Sequence, residues 1–220
     1  MKRVKLTLAY DGTNYCGWQW QPNGRTIEEV LNKVLTDLFK EEIHVIGGSR
    51  TDSGVHAWAN VAVFDTNARI PAEKICLAMN QKLPPDIVVQ ESCEVPLNWH
   101  PRKCNSIKTY EYCILNRTIP FPALRLTSYF VYYPLDVERM REAAKCLVGE
   151  HDFVSFCSTK SQAEETIRTI YSLDIDKDGD LITLRISGSG FLTHMVRIIA
   201  GTLIKIGLGI FPVSKMQEAL

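Results

Sequence analysis

An arginine and an aspartate stand two residues apart in the stretch GGSRTDSGVHA, which runs from Gly47 to Ala57. Gly47, Gly48 and Gly54 permit sharp backbone turns around them. An arginine beside a carboxylate keeps it ionised and orients it. A fixed, ionised carboxylate acts as a nucleophile or a general base, so Asp52 is the leading catalytic candidate and Arg50 its partner. The same pattern also fits a turn aspartate that caps its own backbone beside an incidental ion pair. His56 has the chemistry of a base or a metal ligand. No second ligand stands at helix or strand spacing from it, which points to a structural or RNA-contacting role. His100, His151 and His194 are isolated from one another in the same way.

Further along, Lys108, Tyr110 and Tyr112 alternate along IKTYEYCIL and share one strand face. An aromatic platform beside a cation suits a stacked base next to a phosphate. An ordinary core strand has the same alternation. In GFLTHMVRIIAGTLIKIG, Arg197 interrupts a helix that is apolar nearly all round. The expectation is a buried arginine, which requires an anionic partner; Asp52 is one, and a side chain snorkelling to the surface is the other outcome. No GxxxxGK[ST] or GxGxxG occurs, so nucleotide cofactors gain no support, and the GSG at Gly188–Gly190 says little. Seven cysteines without a CxxC pair argue against a disulfide framework and a zinc site, and for a reduced, cytoplasmic protein.

These groups need elements to hold them. KLTLAY alternates as a strand and ends at Asp11-Gly12, before the long polar loop GTNYCGWQWQPNGR. Thr26 and Glu29 form a capping box for a helix with Ile27, Val30, Leu31, Val34, Leu35, Leu38 and Phe39 on one stripe. HVI and AWANVAVF flank the RTD turn as strands. Pro71 opens a second helix that Leu83-Pro84-Pro85 closes, and IVVQESCEV is a strand. The first half therefore reads β-α-β-β-α-β, a split-βαβ pattern. In the second half IKTYEYCIL and SYFVYY are strands, a helix runs from near Asp136 to Gly149, and two strands surround Asp178-Gly179. The fold expected is α+β: two pseudo-symmetric split-βαβ halves sharing a mixed, mainly antiparallel central sheet with helices packed on it. The boundary falls near PLNWHPRK, giving halves 1–98 and 99–220.

The 220 residues accommodate one large domain or two small ones, and no apolar run is long enough to span a membrane. Net charge is zero. From Val95 to Leu135, however, Glu111 is the only acid, and from Leu181 to Gln217 there is none. Such segregation gives a neutral protein a basic face, unless the clustering is a matter of chance.

Together these pieces resemble the tRNA pseudouridine synthase A family. The resemblance covers nearly the whole chain and consists of AYDGTNYCGWQWQ, GGSRTDSGVHAWANVAVF, WHPRKCNSIKTYEYCI, GEHDFVSFC and GFLTHMVRIIAGTL in that order. Ser49 stands where the family usually has glycine or another small residue. The resemblance implies an isomerase that converts uridine to pseudouridine in the anticodon stem-loop of tRNA, at the nucleotides conventionally numbered 38, 39 and 40. It implies a cytoplasmic homodimer with no metal and no cofactor. Asp52 matches the catalytic aspartate and Tyr110 the tyrosine that contacts the target base. Arg50 and Arg197 match the basic residues that hold the aspartate. His56 and Lys108 are further substrate-binding candidates. The family continues past the last helix with a TAPxxGL-like segment and a closing strand, whereas this sequence ends at KMQEAL.

Two functions compete: a tRNA-modifying isomerase, and a non-catalytic RNA-binding relative, the reading that the short C-terminus favours. A hydrolase using Asp52 and His56 lacks a second carboxylate or a metal set.

Overall fold

A computed structural model describes residues 1–159 and 165–220. The chain divides into two compact units, Met1–Asn105 and Ser106–Leu220.

In the first unit, strand β1 (Lys2–Tyr10) is followed by helix α1 (Ile27–Phe39) and strands β2 (Ile46–Gly47) and β3 (Ala57–Thr66). Helix α2 (Ile75–Asn80), entered through a turn of tighter helix, and strand β4 (Ile87–Val95) complete it. The sheet order is β2-β3-β1-β4, with every neighbouring pair antiparallel. Two βαβ connections thus interleave, as the split-βαβ reading requires. The alternation in β1 is strict: Val4, Leu6, Leu8 and Tyr10 are buried. The helix α1 stripe buries Ile27, Val30, Leu31, Val34 and Leu35. At its start both reciprocal hydrogen bonds of the Thr26–Glu29 capping box form.

The second unit begins with strand β5 (Lys108–Asn116), followed by β6 (Tyr129–Val131), helix α3 (Val137–Ala144) and strand β7 (Gly149–Asp152). Strands β8 (Ile167–Asp178) and β9 (Leu181–Gly188) form a hairpin before helices α4 (Met195–Gly207) and α5 (Lys215–Ala219). The order is β6-β5-β9-β8-β7, with β5 and β6 parallel and the other pairs antiparallel. Asp136 caps α3 by accepting from the Arg139 N–H.

The α+β class and the helices packed on sheets agree with the expectation. Among the described residues the strands form a four-stranded sheet in the first unit and a five-stranded sheet in the second. Several boundaries also move: the HVI strand is Ile46–Gly47, and the helix expected from near Asp136 to Gly149 is Val137–Ala144. Helix α2 spans six residues rather than the whole stretch from Pro71 to Leu83. The SYFVYY strand shrinks to three residues at a sheet edge. The last helix starts at Met195, because His194 sits in the left-handed region at φ 62° and breaks the helical path from Phe191. Among the described residues no helix is long and apolar enough to cross a membrane.

Candidate functional site

The connection from β2 to β3 carries Arg50, Asp52 and His56. It is far longer than a hairpin turn, and buried polar groups give it its shape. Tyr10, Thr51 and Asn60 are each less than one-tenth exposed. The Tyr10 and Thr51 hydroxyls lie 2.8 Å apart, and Asn60 Nδ2 donates to the Tyr10 oxygen at 3.0 Å. Asn60 also donates to the Ser49 carbonyl at 3.1 Å and accepts from the Ser49 N–H at 3.3 Å. The register of β1 against β3 slips by one residue between Leu8 and Tyr10. Such a bulge re-aims a side chain, here the phenol that reaches Thr51.

The polar loop after β1 packs against the other side. Trp18 N–H donates to the Thr51 carbonyl at 3.0 Å, and the Tyr15 carbonyl accepts from Gly54 N–H at 3.2 Å and from Ser53 Oγ at 3.3 Å. Gly17 lies against this backbone with φ 87°, and a Cβ there would fall 2.7 Å from the Thr51 oxygen. Tyr15 is buried, with its hydroxyl donating to Asp86 at 2.7 Å. Burial first, and then Asp86, push that phenol up to about 12. The Asp52 carbonyl accepts from Val55 N–H at 3.2 Å, so Asp52 opens a tight turn. Its side chain is half-buried and that of Arg50 is exposed.

His56 faces the start of the polar loop. Its Nδ1 lies 3.0 Å from Asp11 Oδ1 and 3.2 Å from the Gly12 nitrogen. Thr13 holds the Asp11 carboxyl below the usual carboxylate range by hydrogen bonding, with a smaller contribution from His56.

Arg102 was not among the expected site residues. Its Nε donates to the Gly47 carbonyl at 2.8 Å, at the entry to the RTD loop. Burial first and then the Arg50 charge lower its guanidinium below the ordinary arginine value. Two cations therefore flank the loop. The segment leading to Arg102 is anchored by Arg3, which donates to the Trp99 carbonyl and makes a two-point ion pair with Asp65 at 2.8 Å.

In the second unit, Lys108, Tyr110 and Tyr112 share one face of β5 and are half-buried. Tyr110 meets Phe191 edge to face, with ring centroids 5.1 Å apart, so it packs on the core and presents only part of its ring. Tyr112 is pushed up by burial and drawn back by the Arg197 charge, which places that cation near this face. The expected burial of Arg197 is corrected. Met195, Ile199, Ala200, Leu203, Ile204, Ile206 and Gly207 of α4 are buried, whereas Arg197 is exposed.

The acid-poor segments are less free than their composition suggests. Arg185 pairs with Glu111 at 2.8 Å across β5 and β9, Arg117 with Asp180 at 3.3 Å, and Lys215 with Glu218 at 3.3 Å. Charge separated along the sequence is thus partly recombined in space. Among the described residues, no three His, Cys, Asp or Glu side chains gather as a metal set.

A family model described as tRNA pseudouridine synthase matches residues 7–102 and 143–220. The chain is 50% identical over 207 residues to tRNA pseudouridine synthase A of Clostridium acetobutylicum, covering 94% of this chain and 85% of that one. It is 47% identical to the enzyme of the same name from Thermoanaerobacter sp. (strain X514), covering 95% of this chain and 86% of the relative. With Citrifermentans bemidjiense the identity is again 47%, over 95% and 84% of the two chains. The chain therefore belongs to the tRNA pseudouridine synthase family, a family of isomerases.

Proposed function

We propose that this chain isomerises uridine to pseudouridine in the anticodon stem-loop of tRNA, at nucleotides 38, 39 and 40, with Asp52 as the nucleophile. The observation that carries the reading is the loop itself: a half-buried carboxylate on a turn clamped from two sides and flanked by Arg50 and Arg102. The reaction breaks the C1′–N1 bond of uridine and makes a C1′–C5 bond. One proton leaves C5 and one is gained at N1, so the atoms balance without redox chemistry. A carboxylate serves by attacking C6 of the base or C1′ of the sugar, and is released when the isomerised nucleotide forms.

Reaching either carbon requires the target nucleotide to leave its stack, at a cost of a few kcal/mol. We assign Tyr110 to stacking on the extruded base, which returns about 1–3 kcal/mol. Arg50, two residues from Asp52, and Arg197 are assigned as substrate-binding cations. Lys108 contributes a phosphate contact, and His56 holds the loop that carries Asp52. The reading also implies a homodimer acting in the cytoplasm without metal or cofactor.

Pseudouridine mapping on unmodified tRNA incubated with this chain tests the proposal. Conversion confined to nucleotides 38–40 is the expected result. Tight binding of tRNA with no conversion refutes it in favour of an RNA-binding protein.

A further inference from the structure

We propose that Tyr10 and Asn60 are positioning residues for Asp52: their buried hydrogen-bond chain clamps the backbone on both sides of Arg50 and so sets where the catalytic turn begins. The inference rests on the assignment of Asp52 as nucleophile.

The Asn60 amide is saturated. Nδ2 donates to the Tyr10 oxygen and the Ser49 carbonyl, while Oδ1 accepts from Ser49 N–H and Val61 N–H. An asparagine has two donors and two acceptor lone pairs, so every one is engaged. One lone pair of the Tyr10 oxygen is taken by Asn60, and its own proton is then directed at Thr51 Oγ1, 2.8 Å away. Burial raises the Tyr10 phenol, so it keeps that proton at neutral pH and remains a donor. The chain runs in one direction, Asn60 to Tyr10 to Thr51, and bonds in such a chain polarise and strengthen one another.

All three residues are less than one-tenth exposed, which makes any gap in the chain costly. The clamp is also anchored to the most regular part of the unit. Asn60 lies on β3 opposite Leu8 of β1, and Tyr10 ends β1. Ser49 is thereby tied to the central strands through two main-chain bonds, and Thr51 through its hydroxyl. Arg50, between them, is left exposed, and Asp52 follows Thr51 directly. None of the three side chains needs to touch substrate. Their effect on the reaction passes through the position of Asp52.

The test compares Tyr10→Phe and Thr51→Val, which each remove one hydroxyl at nearly constant volume, with Thr51→Ser, which keeps it. Single-turnover pseudouridine formation is measured with enzyme saturating and well below each variant's melting temperature. A misplacement of the nucleophile by a fraction of an ångström predicts rate losses of about 10–100-fold in the first two variants. Half-saturation by tRNA should change little, and Thr51→Ser should retain most of the rate. The double variant should be no slower than the slower single, because both cut the same chain. Wild-type rates in folded Tyr10→Phe and Thr51→Val would overturn the inference and leave the chain as a stabilising feature only. If Tyr10→Phe fails to fold, Thr51→Val decides alone. Asp52→Asn run in parallel separates the two levels. An active Asp52→Asn refutes the nucleophile, whereas an inactive Asp52→Asn beside fully active Tyr10→Phe and Thr51→Val refutes only the positioning role.

Discussion

Gly17→Ala should be among the most damaging small substitutions in the first unit, and the reason can be split into parts. Gly17 has φ 87°, and a Cβ there would meet the Thr51 oxygen at 2.7 Å, the Asp52 carbonyl carbon at 3.1 Å and the Ser53 nitrogen at 3.2 Å. The left-handed conformation alone costs a residue with a Cβ about 1–2 kcal/mol. Relieving the overlap means moving backbone, since no flexible side chain is there to yield, at about 1–3 kcal/mol. Moving the Thr51 carbonyl also weakens its bond from Trp18 N–H, adding about 1 kcal/mol. The total is about 3–6 kcal/mol, and at roughly 2–4 °C per kcal/mol the midpoint falls by about 6–24 °C. Gly54→Ala is the internal control. Gly54 has φ 75° in the same loop pair, but nothing lies within 4 Å of its Cβ position. Only the conformational part applies, about 1–2 kcal/mol. Thermal and urea unfolding give the two losses, and single-turnover conversion at low temperature gives their effect on the site. Gly17→Ala should be the less stable and the slower, because the atoms it displaces belong to Thr51 and Asp52. Equal losses in the two variants would refute the claim that the interlocked loops are rigid at this contact.

Three further outcomes follow from other parts of the chain. Thr26→Ala removes a fully buried helix cap and should cost about 1–2 kcal/mol in urea unfolding, whereas Thr26→Ser should be close to neutral. Arg3 holds the Asp65 carboxyl below its ordinary value by hydrogen bonding, so that contribution to stability is complete above the unfolded value of about 4 and is lost as pH falls through the folded one. As pH falls below about 4, unfolding free energy should therefore drop less steeply in Asp65→Asn than in the wild type. Lys103→Ala with Lys108→Ala should lower the slope of log affinity for tRNA against log salt by about 1–2, and an unchanged slope would show that these lysines do not meet phosphates.

Much of the scaffold was legible because a few local rules dominate it. The Thr26–Glu29 box, the α1 stripe and the alternation of β1 each point the same way at every residue. The RTD loop was legible as a break between strands. Its internal support was not, because the bonds that shape it join residues 41 and 50 positions apart in sequence. One signal was present: Asn60 is the polar residue of the apolar stretch AWANVAVF, and a buried asparagine needs partners. Arg102 was hidden because it stands in a stretch read as a boundary, whereas its role comes from reaching back to the Gly47 carbonyl. The burial of Arg197 was misjudged from composition. Helix α4 is rich in apolar residues on several sides, but Arg197 lies about 200° round the helix from Met195, at the margin of the buried positions, and is exposed. The charge segregation was real along the chain, yet strand pairing brought Glu111 opposite Arg185 and cancelled part of it.

The most direct measurement of the central claim is single-turnover pseudouridine formation by Asp52→Asn, with enzyme in excess over tRNA. Asparagine matches aspartate in shape but is a far poorer nucleophile and carries no charge. The variant should fold, bind tRNA at least as tightly as the wild type, and form no pseudouridine. Because a single turnover needs no product release, a slow release step cannot mimic the loss. Conversion by Asp52→Asn at a rate comparable to the wild type would contradict the account and leave the RTD loop as an RNA-contacting turn.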